Sequence, residues 1–178
     1  MAALLLAAFW RDYVELRGAA RLSVRERWEA VAVGLAVFAM WISLDAGWMR
    51  YGTEDAGFAP LDRDGRVDVP LAVARFVAIA GVVPVMEELF WRSFLLRRID
   101  GRDFLGRDPR RASLAAWAAS SILFASEHSL WLAGLVAGAA CGGLYVRSGN
   151  LRSPLISHAI TNASLGIWIL ASGRWRYW

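Results

Sequence analysis

Two adjacent carboxylates and an arginine, in the string Glu87-Glu88-Leu89-Phe90-Trp91-Arg92, interrupt an apolar run from Leu71 to Leu96. On insertion scales a charge at such depth costs about 2.5–3.5 kcal/mol, so each needs a partner or a task. Glu88 and Arg92 are four apart; on a helix they share a face and can pair. Glu87 then projects about 100° away from Glu88. One carboxylate can hold the arginine while the other faces a cavity. Pro84 lies almost one turn earlier, where its missing N–H frees a carbonyl and can kink the helix, opening space for water. The purely structural alternative is that the Glu88–Arg92 pair cements two helices.

The chain has two histidines, and both fall in apolar segments. His128 ends the string Phe124-Ala-Ser-Glu-His. His158 opens His158-Ala-Ile-Thr-Asn162, a spacing that puts His158 and Asn162 on one helix face. A carboxylate near a neutral imidazole can take a proton from water and make a nucleophile. A second histidine and an asparagine amide can donate hydrogen bonds to a developing oxyanion. Such a set hydrolyses a peptide bond without a serine or cysteine nucleophile. Two histidines and a glutamate (Glu87, His128 and His158) also match the ligand set of a catalytic zinc site. The helical HExxH spacing of soluble zinc proteases is absent, so zinc rests on composition alone and no cofactor is expected. Cys141 is the single cysteine; it has no CxxC or Cys/His partner spacing and cannot form an internal disulfide.

The elements that hold these residues are apolar. Of 178 residues, 57% are hydrophobic, against roughly 45–50% in an ordinary soluble domain. The mean hydropathy of +0.39 excludes a disordered chain. Five spans are expected: Trp28–Trp48, Leu71–Leu96, Leu114 to Leu130, Trp131–Val146 and Pro154–Ala171. The third and fourth meet with almost no loop and should form a tight hairpin. Gly134, Gly138 and Gly142 make a small-residue stripe for close helix contact. The apolar stretch Met1–Trp10 is too short to cross a bilayer. It has no basic flank or cleavage site, so it does not read as a signal peptide. Residues 1–27 are taken as an interfacial segment, or the clipped end of a longer one, ahead of a membrane domain over 28–178. No internal repeat is evident.

The net charge is +4, and all 20 basic residues are arginine. They cluster between apolar segments, which fits membrane topology better than nucleic-acid binding. Thirteen lie in residues 11–27, 97–111 and 147–152, and five in the connections on the opposite side. The positive-inside rule puts the first group in the cytoplasm and the C-terminus outside. Trp28, Trp48, Trp131, Trp175 and Trp178 fall near expected span ends, as interface anchors would.

The order Glu-Glu-x-x-x-Arg, then Phe-x-x-x-His, then His-x-x-x-Asn on successive apolar segments resembles the CPBP family. This is the family of CAAX prenyl endopeptidases and bacteriocin-processing or immunity (Abi) proteins. The resemblance covers roughly Val83 to Gly166. The longer strings Glu-Glu-Leu-Phe-Trp-Arg-Ser-Phe-Leu-Leu-Arg, Glu-His-Ser-Leu-Trp-Leu-Ala-Gly and Ser-His-Ala-Ile-Thr-Asn look like the bacterial subgroup linked to exosortase sorting systems. The resemblance implies an all-α polytopic bundle acting as an intramembrane glutamate-type endopeptidase in a bacterial inner membrane. It implies that Glu87 and His128 activate water, that His158 and Asn162 stabilise the oxyanion, and that Glu88 and Arg92 support the site. Its implied partners are the lipid bilayer and a peptide or membrane-protein substrate, exosortase-related in the finer reading, with no nucleic acid. About five spans is fewer than family members often have. His128 is the awkward residue, since it should lie about 9 Å further out than Glu87. A non-catalytic immunity or partner-binding protein on the same scaffold is the runner-up. A proton-coupled transporter is a third reading, weakened by the small span count.

Overall fold

Three of the helices start at side-chain caps. Ser23 accepts from the Glu26 N–H at 3.2 Å while the Glu26 carboxylate accepts from the Ser23 N–H at 2.8 Å. This reciprocal box satisfies two orphan donors at once. Asp68 caps the long central helix through Leu71, and Ser113 caps the next through Ala116. The Asp100 carboxylate accepts from the Ser113 N–H and hydroxyl at 2.7 and 2.5 Å, joining the end of one helix to the start of the next. At the other ends, Gly149 and Gly173 sit at φ 65° and 67°, a left-handed conformation that costs glycine nothing.

The computed structural model describes residues 1–18, 20–52 and 57–178. Its helices are α1 (Ala2–Ala8), α2 (Val14–Gly18), α3 (Val24–Ser43), α4 (Val69–Asp100), α5 (Leu114–Ser126), α6 (Trp131–Ser148) and α7 (Arg152–Ser172). Short 3₁₀ turns cover Trp10–Asp12, Gly47–Met49, Pro109–Arg111 and Trp175–Tyr177. No strand occurs among the described residues, only an isolated bridge between Leu61 and Val67. The fold is all-helical, as the sequence implied.

α4 and α7 are long and apolar enough to cross a membrane. α3 and α6 run about 30 and 27 Å at 1.5 Å per residue, whereas α5, with 13 residues, reaches only about 20 Å. The third expected segment is therefore cut short: its helix ends at Ser126, and residues 127–130 form the turn of the hairpin with α6. Burial is inverted relative to a soluble protein. Apolar Val73, Val77, Met86 and Phe90 point outward from α4, while Glu88, Arg92, Ser93 and Arg97 face inward.

The glycine stripe does what its spacing suggested. A Cβ on Gly138 would come within 3.0 Å of the Ser121 carbonyl, and one on Gly142 within 2.9 Å of the Trp117 ring, so α6 lies directly on α5. α3 crosses α7 as closely at Gly34, whose added Cβ would lie 2.5 Å from the Ser157 carbonyl oxygen. Thr161 on α7 donates to the Gly34 carbonyl at 2.9 Å across that crossing. Val37, Trp91, Phe124 and Ala137 form the central core from four helices.

The connections separate into two groups. On one side Glu15 of α2 holds Arg97 at 3.0 Å and accepts from the Tyr145 hydroxyl at 2.6 Å, while Arg152 bonds the Leu16 carbonyl and Arg110 the Ser148 carbonyl. On the other side Trp131 bonds the Trp48 carbonyl, Tyr51 the Ser129 carbonyl, and Arg176 pairs with Asp45. The first group brings together the arginine-rich segments. Residues 14–18 thus pack on the bundle, with Leu16 beneath Tyr145 and Leu151, while Leu4, Leu5, Phe9 and Trp10 remain exposed.

Candidate active site

α4 is not a uniform helix around its carboxylates. Two wider π-helical stretches, Ala78–Val82 and Leu89–Leu96, flank the α-helical Val83–Glu88. Such turns are frequent at functional sites. In the first, the Val83 N–H bonds the Ala78 carbonyl, five residues back. The next donor in that register would be residue 84, a proline without an N–H. The Ile79 carbonyl is left free, and the Asn162 amide of α7 donates to it at 2.8 Å. Pro84 thus acts by releasing the acceptor that fixes Asn162.

Glu88 is fully buried and serves two partners with its two oxygens. One lies 3.2 Å from Arg92 Nε, the pair expected from the i,i+4 spacing. The other accepts from His158 Nδ1 at 2.8 Å, a link across 70 residues. Arg92 also donates to the Gly138 carbonyl at 3.3 Å and lies 4.6 Å over the Phe124 ring. Every contact of this arginine is inside the bundle, where a desolvated charge needs them.

Glu87 projects the other way, into a cavity of about 160 Å³ that is also lined by His128, His158 and Asn162. That volume exceeds the roughly 30 Å³ share of one water several times. Glu87 lies 3.9 Å from His158 Nε2. His128 Nδ1 bonds the Phe124 carbonyl at 2.9 Å, and its ring packs against Phe124 and edge-on to Trp41. With Nδ1 of both histidines engaged by acceptors, Nε2 is the atom each has left for the cavity. α5 ends at Ser126, and from the turn that follows His128 lines the same cavity as Glu87. No hydrogen bond joins Glu87 to His128 among the described residues.

Several lining residues carried no signal in the sequence. Cys141 and Thr161 lie on α6 and α7, and Trp41 on α3. Tyr177 and Trp178, near an expected span end, turn in to line the cavity instead, so Trp178 is more than an interface anchor. A second space of about 740 Å³ opens beyond them, sharing Trp41, His128, Tyr177 and Trp178 with the first. It is lined by Arg50 and Arg176, both paired with Asp45. This vestibule offers a polar approach to the inner cavity.

Among the described residues no three His, Cys, Asp or Glu side chains come together as a set that could hold a metal ion. Glu87, His128 and His158 share a cavity without converging as ligands.

No curated protein and no solved structure matches the chain. The description "Type II CAAX prenyl endopeptidase Rce1-like" matches residues 69–164, which takes in all of α4, α5 and α6 and the His158–Asn162 face of α7. With the match spanning more than half of its length, the chain belongs to the Rce1-like family of type II CAAX prenyl endopeptidases, membrane-embedded proteases acting on peptides.

Proposed function

We propose that the chain is a five-span intramembrane endopeptidase that uses a glutamate-activated water. The observation that carries this reading is the shared cavity of Glu87, His128, His158 and Asn162. Ionised Glu87 removes a proton from a water held also by His128 Nε2. The resulting hydroxide attacks the peptide carbonyl carbon. The oxyanion accepts hydrogen bonds from the second Asn162 amide hydrogen and from His158 Nε2. Because His158 Nδ1–H is given to Glu88, this donation requires the doubly protonated ring. Collapse breaks the C–N bond, and Glu87 returns its proton to the departing amine. Glu88 and Arg92 position the set without touching the reacting atoms.

A bacterial inner membrane and an exosortase-related substrate rest on the strings around Glu87, His128 and His158 alone. Residues 1–27 read as an interfacial segment because Leu4, Leu5, Phe9 and Trp10 are exposed beside the arginine-rich side.

The test is cleavage of a membrane-anchored peptide in reconstituted vesicles. Glu87→Gln and His128→Ala should abolish it while melting transitions stay within a few degrees of the parent. Asn162→Ala should leave residual activity, lowered about 10²–10³-fold, the usual effect of one oxyanion donor. Exhaustive chelation should change nothing. Full activity in folded Glu87→Gln sinks the mechanism; loss on chelation with recovery on added zinc turns the three residues into ligands.

A further inference from the structure

Arg75 is a cation on the membrane-crossing helix α4 that the mechanism above does not use. Among the described residues it has no ion pair and no hydrogen bond, and its Nε is buried without a partner. Two aromatic rings steady it: the guanidinium carbon lies 4.4 Å from the centre of Phe58 and 5.7 Å from that of Trp178. Ring faces attract a cation but accept no pair of directed hydrogen bonds. Trp178 lines the inner cavity together with Glu87, and its own indole N–H is buried without an acceptor. Asp45, an acidic residue on this side, is taken by Arg50, Arg176 and Tyr177. A half-buried arginine with a buried, unpartnered Nε in a spanning helix is a functional-site candidate by default.

We propose that Arg75, held on Phe58 and Trp178, anchors a carboxylate of the peptide substrate at the edge of the inner cavity. The guanidinium fork matches a carboxylate in a way a point charge does not. Arg50 and Arg176 on the vestibule wall are paired with Asp45 and stand beside Glu127, so the discrimination falls to Arg75 itself. Twelve residues separate Arg75 from Glu87. That is roughly 18 Å of helix, which an extended peptide covers in about five residues, fewer once the arginine side chain reaches inward. The chain should therefore cut a few residues from a C-terminal carboxylate. A C-terminal C-a-a-X segment ends in such a group. This inference rests on the protease reading, and Arg75 acts in it as a specificity determinant, not in the chemical step.

The experiment separates the two. Binding of a fluorescent farnesylated peptide with a C-a-a-X terminus, as free acid and as C-terminal amide, is measured on the full chain carrying Glu87→Gln. The acid should bind about tenfold more tightly than the amide. Adding Arg75→Gln should bring the acid down to the amide level while amide binding, which reports an intact fold, stays put. Arg75→Lys should recover part of the difference, since it keeps the charge without the fork. Equal binding of acid and amide by the Arg75 protein, or binding of neither, overturns the proposal. Arg75-dependent retention of phosphatidylglycerol without an acid–amide difference overturns it as well, by assigning the cation to a lipid headgroup. Cleavage is then followed separately with Glu87 restored. Acid-selective binding without cleavage sinks the protease and leaves the anchor; equal cleavage of both peptides sinks the anchor and leaves the protease.

Discussion

Glu88 is the only carboxylate among the described residues that is fully withdrawn from solvent, and both of its oxygens are engaged. It therefore links the stability of the bundle to the orientation of the site. Truncating Arg92 to alanine would leave that carboxylate facing a void in a low-dielectric interior. Breaking a buried pair from one side costs on the order of 3–5 kcal/mol. Arg92→Ala should lower the detergent melting temperature clearly and reduce the amount of protein recovered from membranes. An unchanged melting temperature and full activity would show that Glu88 needs no cation. Glu88→Gln should be milder in stability, because an amide oxygen can still accept from His158 Nδ1. The i,i+4 pair was legible because both partners lie on one helix, where periodicity fixes their geometry. The bond from Glu88 to His158 was not, since nothing local to either residue encodes a contact made through helix packing. The same holds for Asn162, whose amide is tied to Ile79.

At the scale of elements, the α3–α7 crossing is set by one residue. Gly34 admits the Ser157 carbonyl to a distance no side chain would allow, and Thr161 closes the contact with its hydroxyl. Because His158, Thr161 and Asn162 share α7, a displaced crossing would move the site. Gly34→Val should destabilise the protein by about 1–3 kcal/mol, the usual range for forced overpacking. Gly81→Ala is the control. Nothing lies within 4 Å of its Cβ position, and replacing a helical glycine with alanine usually gains about 0.5–1 kcal/mol. Melting curves of both variants in one detergent decide this: equal melting temperatures would remove Gly34 from the account. Gly134, Gly138 and Gly142 were legible because they repeat every four residues. Gly34 stands alone on its helix, so its role emerged only with the partner. Pro84 was read as a kink, whereas the wide turn before it and the freed Ile79 carbonyl required the helix itself.

For the whole molecule, the arginine asymmetry becomes an orientation only if the arginine-rich segments lie on one side. The bonds from Glu15 to Arg97, Leu16 to Arg152 and Ser148 to Arg110 put them there, opposite the contacts among Asp45, Trp48, Trp131 and Arg176. Thirteen of the 20 arginines then face one compartment, which the positive-inside rule identifies as the cytoplasm. The prediction can be checked with single cysteines and a membrane-impermeant maleimide on spheroplasts. Ser113 is a poor probe site, because its hydroxyl caps α5 and bonds Asp100. Leu105, 72% exposed in the 97–111 segment, and Ser172 at the end of α7 disturb no such contact. The native Cys141 is buried and should stay silent. Intact cells should label Ser172→Cys at once and Leu105→Cys only after permeabilisation. The opposite pattern would turn the vestibule toward the cytoplasm, so that substrate reached Glu87 from inside the cell. Labelling of both positions in intact cells would mean that the arginine-rich loops do not share a compartment with the cell interior.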